Sequence, residues 1–256
     1  MDGEPREQSC ALTFGSVIHD VVLYLETSRD LDGAVDRFRT YWMDPTQLDP
    51  SYEIQKWLPR RSFEGYLEDG LRILRDWWSL IEWDSDVVIA REQHFVVPIG
   101  EGHELEGTID KLTVRYRPKK HDYVLLISDY KTGKKIPSYN YLRQDLQFSA
   151  YSYATTKPEF WAGVENGAHL MEQVKEMPRE AEWVQLSLPQ RKHAGERTQQ
   201  DFNRITYAVN AMAASIDMRI FVPNIGGDSC CFCDFRKQCG LPSLEDEGHY
   251  KPPTFY

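Results

Sequence analysis

Apolar residues recur at three- and four-residue steps early in the chain. Phe14, Ile18, Val21 and Leu25 fall on one stripe, which predicts an amphipathic helix. A second helical stretch runs from about Leu31 to Met43 and stops at Asp44-Pro45, because proline cannot continue it. A third carries Phe63, Leu67, Leu71, Leu74, Trp78 and Ile81 on one stripe, with Gly65 and Gly70 in its interior. From Val87 the period shortens. Val87–Ile99, His103–Tyr116 and Asp122–Tyr130 are rich in β-branched and aromatic residues. Turn-forming segments at Pro98–Gly102 and Pro118–His121 separate them, so they predict three successive antiparallel strands. The third is apolar on both faces (Val124 and Leu126 against Leu125 and Ile127), as a central strand would be. A helix from about Tyr141 to Thr155, a strand at Trp183–Leu188 and a long helix carrying Phe202, Ile205, Val209, Met212 and Ile216 follow. This order predicts an α/β fold with a mixed central sheet flanked by helices. It divides into a helical N-terminal portion (residues 1–85), a core (86–220) and a cysteine-bearing C-terminal segment (221–256), one domain overall.

Charge and composition narrow the picture. The 256 residues carry a net charge of −10, 41% of them are apolar and 12% are aromatic. Such a chain buries a core without staples and is not disordered. Its longest apolar runs, such as Val21–Leu25 and Val124–Ile127, are too short for a membrane span. The polar start, Met1–Ser9, excludes a secretory signal, so a cytoplasmic location is expected. A negative chain is not a generic polyanion binder. The basic residues are concentrated, however: between Lys111 and Arg143 nine of them face only Asp122 and Asp129, a local +7. That zone is where phosphate would be gripped.

The chemistry clusters in the same region. Asp110 lies within the second strand, in G-T-I-D. Asp129 and Lys131 end the third, in D-Y-K-T-G, and point to one face because they are two apart. If the strands pair, two carboxylates meet and offer hard oxygen donors to Mg²⁺ or Mn²⁺, with the Tyr130 carbonyl as a third. A lysine beside them can orient a water for phosphodiester hydrolysis. D-x-K alone is common at strand ends; the flanking pattern makes it specific. Gln147 and Tyr151, four apart on the next helix, share a face. His19 lies one position round from the first apolar stripe, and an imidazole there suits Mn²⁺. Of five cysteines, Cys230, Cys233 and Cys239 read as C-x2-C-x5-C, a spacing used by zinc and iron–sulfur sites. Three thiolates leave a fourth position open, for which Cys10 is a candidate.

Together, GTID, DYKTG, Gln147 with Tyr151 in QFSAY, Gly15 with His19 in GSVIH and the C-x2-C-x5-C resemble the PD-(D/E)xK nucleases. Among these they look most like the RecB-type branch, with its CRISPR-associated and phage-encoded iron–sulfur exonucleases. The resemblance runs from about Leu12 to Cys239. It implies a restriction-endonuclease-like core, and a Mg²⁺ or Mn²⁺ centre at Asp110, Asp129, the Tyr130 carbonyl and His19. Lys131, Gln147 and Tyr151 would complete the catalytic set. It implies a [4Fe–4S] cluster on Cys230, Cys233 and Cys239, with Zn²⁺ as the competing occupant; Cys10, nine residues before His19 and closer to it than the family's first cluster cysteine, is the candidate fourth ligand. The implied activity is exonucleolytic cleavage of DNA ends, single strands foremost, in a prokaryotic or phage-infected cell, with recombination or CRISPR-adaptation proteins as partners. The rival expectation is a non-catalytic DNA-end-binding or adaptor protein that keeps the fold and a structural metal cluster.

Overall fold

The structure, a computed structural model, describes residues 8–58, 61–81 and 86–220. Glu7–Asn210 forms one compact unit, and the described residues beyond it, 211–220, belong to a second, where they carry the last turns of the final helix.

Three helices open the chain: α1 (Cys10–Ser28), α2 (Leu31–Met43) and α3 (Phe63–Leu80). Each begins on a side chain that accepts from an otherwise orphaned backbone N–H. Ser9 accepts from Leu12, Asp30 from Gly33 and Ser62 from Gly65. α1 stops where Arg29 turns left-handed, with φ 55°. The two glycines of α3 have separate explanations. Gly65 sits in the capped first turn, where its flexibility costs little. Gly70 lies where α2 crosses α3, and a Cβ there would stand 2.0 Å from Phe38 Cζ.

The sheet has five strands in the order β1 (Val87–Ile99), β2 (His103–Arg117), β3 (Asp122–Lys131), β4 (Arg179–Gln185) and β5 (Gln190–Arg197). β1, β2 and β3 form the antiparallel meander that the sequence predicts; β4 joins β3 in parallel and β5 returns antiparallel. The crossover from β3 to β4 is made by α4 (Tyr139–Gln144), α5 (Leu146–Ala154), α6 (Pro158–Ala162) and α7 (Gly167–Val174), and α8 (Gln199–Asp217) follows β5. The single helix expected over Tyr141–Thr155 is thus two. Asp145 breaks it with extended backbone, and its carboxylate caps α5 at Gln147 and Phe148. The strand expected at Trp183–Leu188 starts four residues earlier, and the hairpin partner β5, rich in charge, carries no apolar alternation to announce it.

Two cores cover the two faces of the sheet. On one side α1, α2 and α3 bury Phe14, Val21, Phe38, Trp42 and Trp77 against Tyr130, Val184 and Leu186. On the other, α5, α6 and α7 bury Tyr151, Phe160, Trp161 and Val174 against Phe95, Ile109, Leu125 and Ile127. Each large side chain fully removed from water contributes about 1.5–3 kcal/mol. Gly70→Ala should therefore destabilise the first core by about 1–3 kcal/mol, because the overpacking against Phe38 outweighs the helix-propensity gain of under ~1 kcal/mol. Thermal unfolding reads this as a lower midpoint; an unchanged or higher midpoint would show that Phe38 moves aside freely. No described helix is long and apolar enough to cross a membrane.

Candidate active site

The site exists because β2 and β3 part company. Their ladder runs from Arg117↔Asp122 to Lys111↔Ser128 and ends there, while β3 stays paired with β4 through Asp129, Tyr130 and Lys131. The parting deprives the Tyr130 N–H and C=O of a strand partner, and buried backbone groups need one. Two side chains supply it. The Tyr130 N–H donates to Asp110 Oδ2, and His19 Nε2 lies 3.0 Å from the Tyr130 carbonyl oxygen. The carbonyl expected among the metal donors is thus held by the histidine in this structure.

β1 is distorted at the same level. Its ladder with β2 pairs Arg91 with Lys111 and Gln93 with Ile109, stepping over Glu92 and Asp110. Glu92 has φ 44°, a left-handed conformation that is uncommon for a side-chain-bearing residue inside a strand. The kink delivers its carboxylate to the site. Glu92 Oε1 and Asp110 Oδ1 each stand 3.5 Å from His19 Nδ1. One donor atom from each of the three residues lies within 4.8 Å of the others. Glu92 was not among the residues the sequence singles out. A glutamate in a strand reads as an outward-facing polar position, and the positive φ that turns it inward leaves no mark on the pattern.

Asp129 and Lys131 stand alongside. Lys131 Nζ is 3.0 Å from Asp129 Oδ1 and 2.8 Å from Oδ2. The aligned hydrogen bond goes to Oδ1, and the buried Oδ2 has no aligned donor. Lys131 also lies 5.6 Å from the centroid of the Trp183 ring, on the neighbouring strand. Gln147 Nε2 donates to the Tyr151 hydroxyl at 2.7 Å, so these two do share a face, and Tyr151 packs edge-on against Phe95. His19, Asp110, Asp129, Lys131, Gln147 and Tyr151 therefore come from four elements to one region.

Electrostatics show how much negative charge is gathered. Burial opposes a charged His19, but hydrogen bonds to Asp110 and Glu92, with their charges, lift the imidazole to about 10. Burial pushes the Asp129 carboxyl up to about 6; Lys131 pulls it down and the Asp110 charge pushes it up again. Burial raises the Tyr151 phenol as well. Gln147 lowers it, and the charges of Asp129, Asp110 and Glu92 raise it, so it stays a proton donor. A cleft of about 450 Å³, lined in part by Gly15, His19, Asp20, Asp49 and Glu92, opens beside these donors. Hard oxygen donors with one imidazole, an acceptor without an aligned donor and an acidic approach all suit a divalent cation. The three donors lie within 4.8 Å of one another, and ligands of an octahedral ion with bonds of about 2.0–2.1 Å lie about 3–4 Å apart.

The basic zone is largely consumed internally. Lys111 pairs with Glu26, Arg115 with Asp86 and Glu182, Arg117 with Asp122 and Glu180, and Arg143 with Asp201. Lys120 reaches Glu180, and Lys134 shares Asp69 with Arg61 and Arg72. A summed charge along the sequence is thus not a free positive surface. Cys230, Cys233 and Cys239 lie outside the described residues. Cys10 is fully buried at the start of α1, where its sulfur accepts from the Leu58 N–H at 3.3 Å and sits 3.7 Å from the Tyr66 hydroxyl.

The family model of the PD-(D/E)XK nuclease superfamily matches residues 2–240. No curated protein sequence matches the chain.

Proposed function

The chain belongs to the PD-(D/E)XK nuclease superfamily, and from that premise we propose that it is a Mg²⁺- or Mn²⁺-dependent exonuclease acting on DNA ends, single strands foremost. The observation that carries the reading is the convergence of His19, Glu92 and Asp110 donor atoms within 4.8 Å of one another, with the Asp129–Lys131 pair beside them. Asp110, Glu92, Asp129 and His19 would hold the ion. When bound, it supplies Lewis acidity for the scissile phosphate and for the attacking water.

The protein's own groups do the rest. Lys131, on a strand whose register β4 fixes, places an ammonium where it can hold the attacking water and stabilise the negative charge that grows on its oxygen as its proton passes to solvent. The water oxygen forms a bond to phosphorus, the P–O ester bond breaks, and the departing sugar oxygen takes up a proton. Tyr151, held by Gln147 and kept protonated by burial and by the charges of Asp129, Asp110 and Glu92, is a neutral donor. It can hold a phosphoryl oxygen without adding charge. For the C-terminal cysteines the reading retains a structural metal, [4Fe–4S] or Zn²⁺, on Cys230, Cys233 and Cys239, with Cys10 as the candidate to be tested for the fourth position.

End-labelled single- and double-stranded DNA tests the proposal. Progressive loss of the labelled end with Mg²⁺ or Mn²⁺, and none with EDTA, is the expected result. Binding to ends without cleavage under any divalent ion would instead make the protein a non-catalytic end-binder. The cysteine reading has its own readout. Anaerobically purified protein should show a broad visible absorption band or stoichiometric zinc, and Cys233→Ser and Cys10→Ser should each reduce the metal content. Undiminished metal in Cys10→Ser would remove Cys10 from the ligand set.

A further inference from the structure

Close to the candidate site lies a buried carboxylate that the mechanism does not use. Glu26 is on α1, two turns beyond His19 and on the same helical face. Its side chain is 2% exposed. Four donors converge on it. Lys111 Nζ lies 2.8 Å away, Arg91 Nε 3.0 Å, the Tyr130 hydroxyl 2.7 Å and Trp77 Nε1 3.3 Å.

The identity of those donors is the point. Arg91 precedes Glu92, Lys111 follows Asp110, and Tyr130 lies between Asp129 and Lys131. Each of the three strands thus offers one residue to the site and a sequence neighbour of that residue to Glu26. Arg91 and Lys111 are also ladder partners. A single carboxylate thus ties together β1, β2, β3 and the helix that bears His19. It also cancels part of the positive charge of Arg91 and Lys111, the sequence neighbours of two of the site's donors. We propose that Glu26 is the positioning residue of the metal centre, holding its donors in register and neutralising Lys111 and Arg91 so that the site retains its affinity for a divalent ion.

The inference rests on the metal-centre reading above, and its test separates the two. Mn²⁺ binding is measured by calorimetry on ion-free protein, with thermal unfolding of the same samples, for the parent, Glu26→Gln, Lys111→Met and the double variant. Glu26→Gln leaves Lys111 and Arg91 unbalanced and should weaken Mn²⁺ binding by about tenfold or more, the usual effect of removing a group that orients metal ligands. Lys111→Met removes positive charge and leaves Glu26 its contacts to Arg91, Tyr130 and Trp77, so Mn²⁺ affinity should be equal to the parent's or tighter. The double variant should return to within about threefold of the parent, a coupling that independent sites would not show.

A role confined to packing predicts otherwise: both single variants weaken Mn²⁺ binding, and the double variant weakens it further. That pattern, or an unchanged Mn²⁺ affinity in Glu26→Gln, overturns the proposal. If Glu26→Gln does not fold, Lys111→Met and the double variant still decide by sign. A parent protein that binds no Mn²⁺ overturns the metal-centre reading and this inference with it.

Discussion

Asp110→Asn and Lys131→Ala should each lower the rate of DNA cleavage by about 10²–10³-fold, the typical loss on removing one group that stabilises developing charge, while the folded protein survives. The two variants fail for different reasons. Asparagine at position 110 keeps an oxygen that can accept from the Tyr130 N–H, so the gap between β2 and β3 stays satisfied. What it loses is the negative charge, and with it a hard donor to the ion. Alanine at 131 leaves the metal donors in place but removes the only ammonium beside Asp129 among the described residues. The Asp129 carboxyl, which burial already pushes up to about 6, then loses the partner that pulls it down and holds its proton more firmly. Lys131→Ala should therefore lose rate at saturating Mg²⁺ and also need more Mg²⁺ to saturate. Asp110→Asn should show the ion effect above all. Single-turnover cleavage across an ion titration, with circular dichroism as the control for folding, separates the two. Full activity in Lys131→Ala would remove the lysine from the reaction.

These residues could be found in the sequence because strands state their geometry openly. A period of two fixes that Asp129 and Lys131 share a face, and the apolar run around them fixes β3 as a central strand. The helix bearing His19 was equally plain from its stripe. What the sequence hid follows from features that no periodicity encodes. β5 is a strand by pairing with β4 rather than by apolar alternation. The break at Asp145 is a capping event inside a continuous helical pattern. The basic segment from Lys111 to Arg143 suggested a surface, yet Lys111, Arg115 and Arg117 are spent on Glu26, Asp86, Glu182, Asp122 and Glu180. Those partners come from as far away as α1 and β4, and linear charge counting cannot see them. Glu26 was overlooked for the same reason. A glutamate late in an amphipathic helix reads as solvated until three strands are placed beneath it.

Glu92 is the sharpest such case, and it makes the second large prediction. A left-handed φ on a residue with a side chain costs of order 1–3 kcal/mol, and Glu92 has φ 44°. That cost disappears in Glu92→Gly, because glycine adopts φ 44° without strain, and it outweighs the loss of the part-exposed contact with His19, worth about 0–1 kcal/mol. The expected result joins opposite changes. In EDTA, the thermal midpoint of Glu92→Gly should equal or exceed the parent's. In Mn²⁺ titrations its affinity should fall by about 10–100-fold, the scale typical of losing a group that builds a metal site. DNA cleavage at limiting Mn²⁺ should fall in step. Glu92→Gln, which keeps the backbone cost and loses only the charge, should share the fall in affinity without the gain in stability. A site kept for function at the expense of stability behaves in this way. If Glu92→Gly instead lowered the midpoint by several degrees and left Mn²⁺ binding intact, the kink in β1 would be a packing feature. The ion would then have to be held by Asp110, Asp129 and His19 alone.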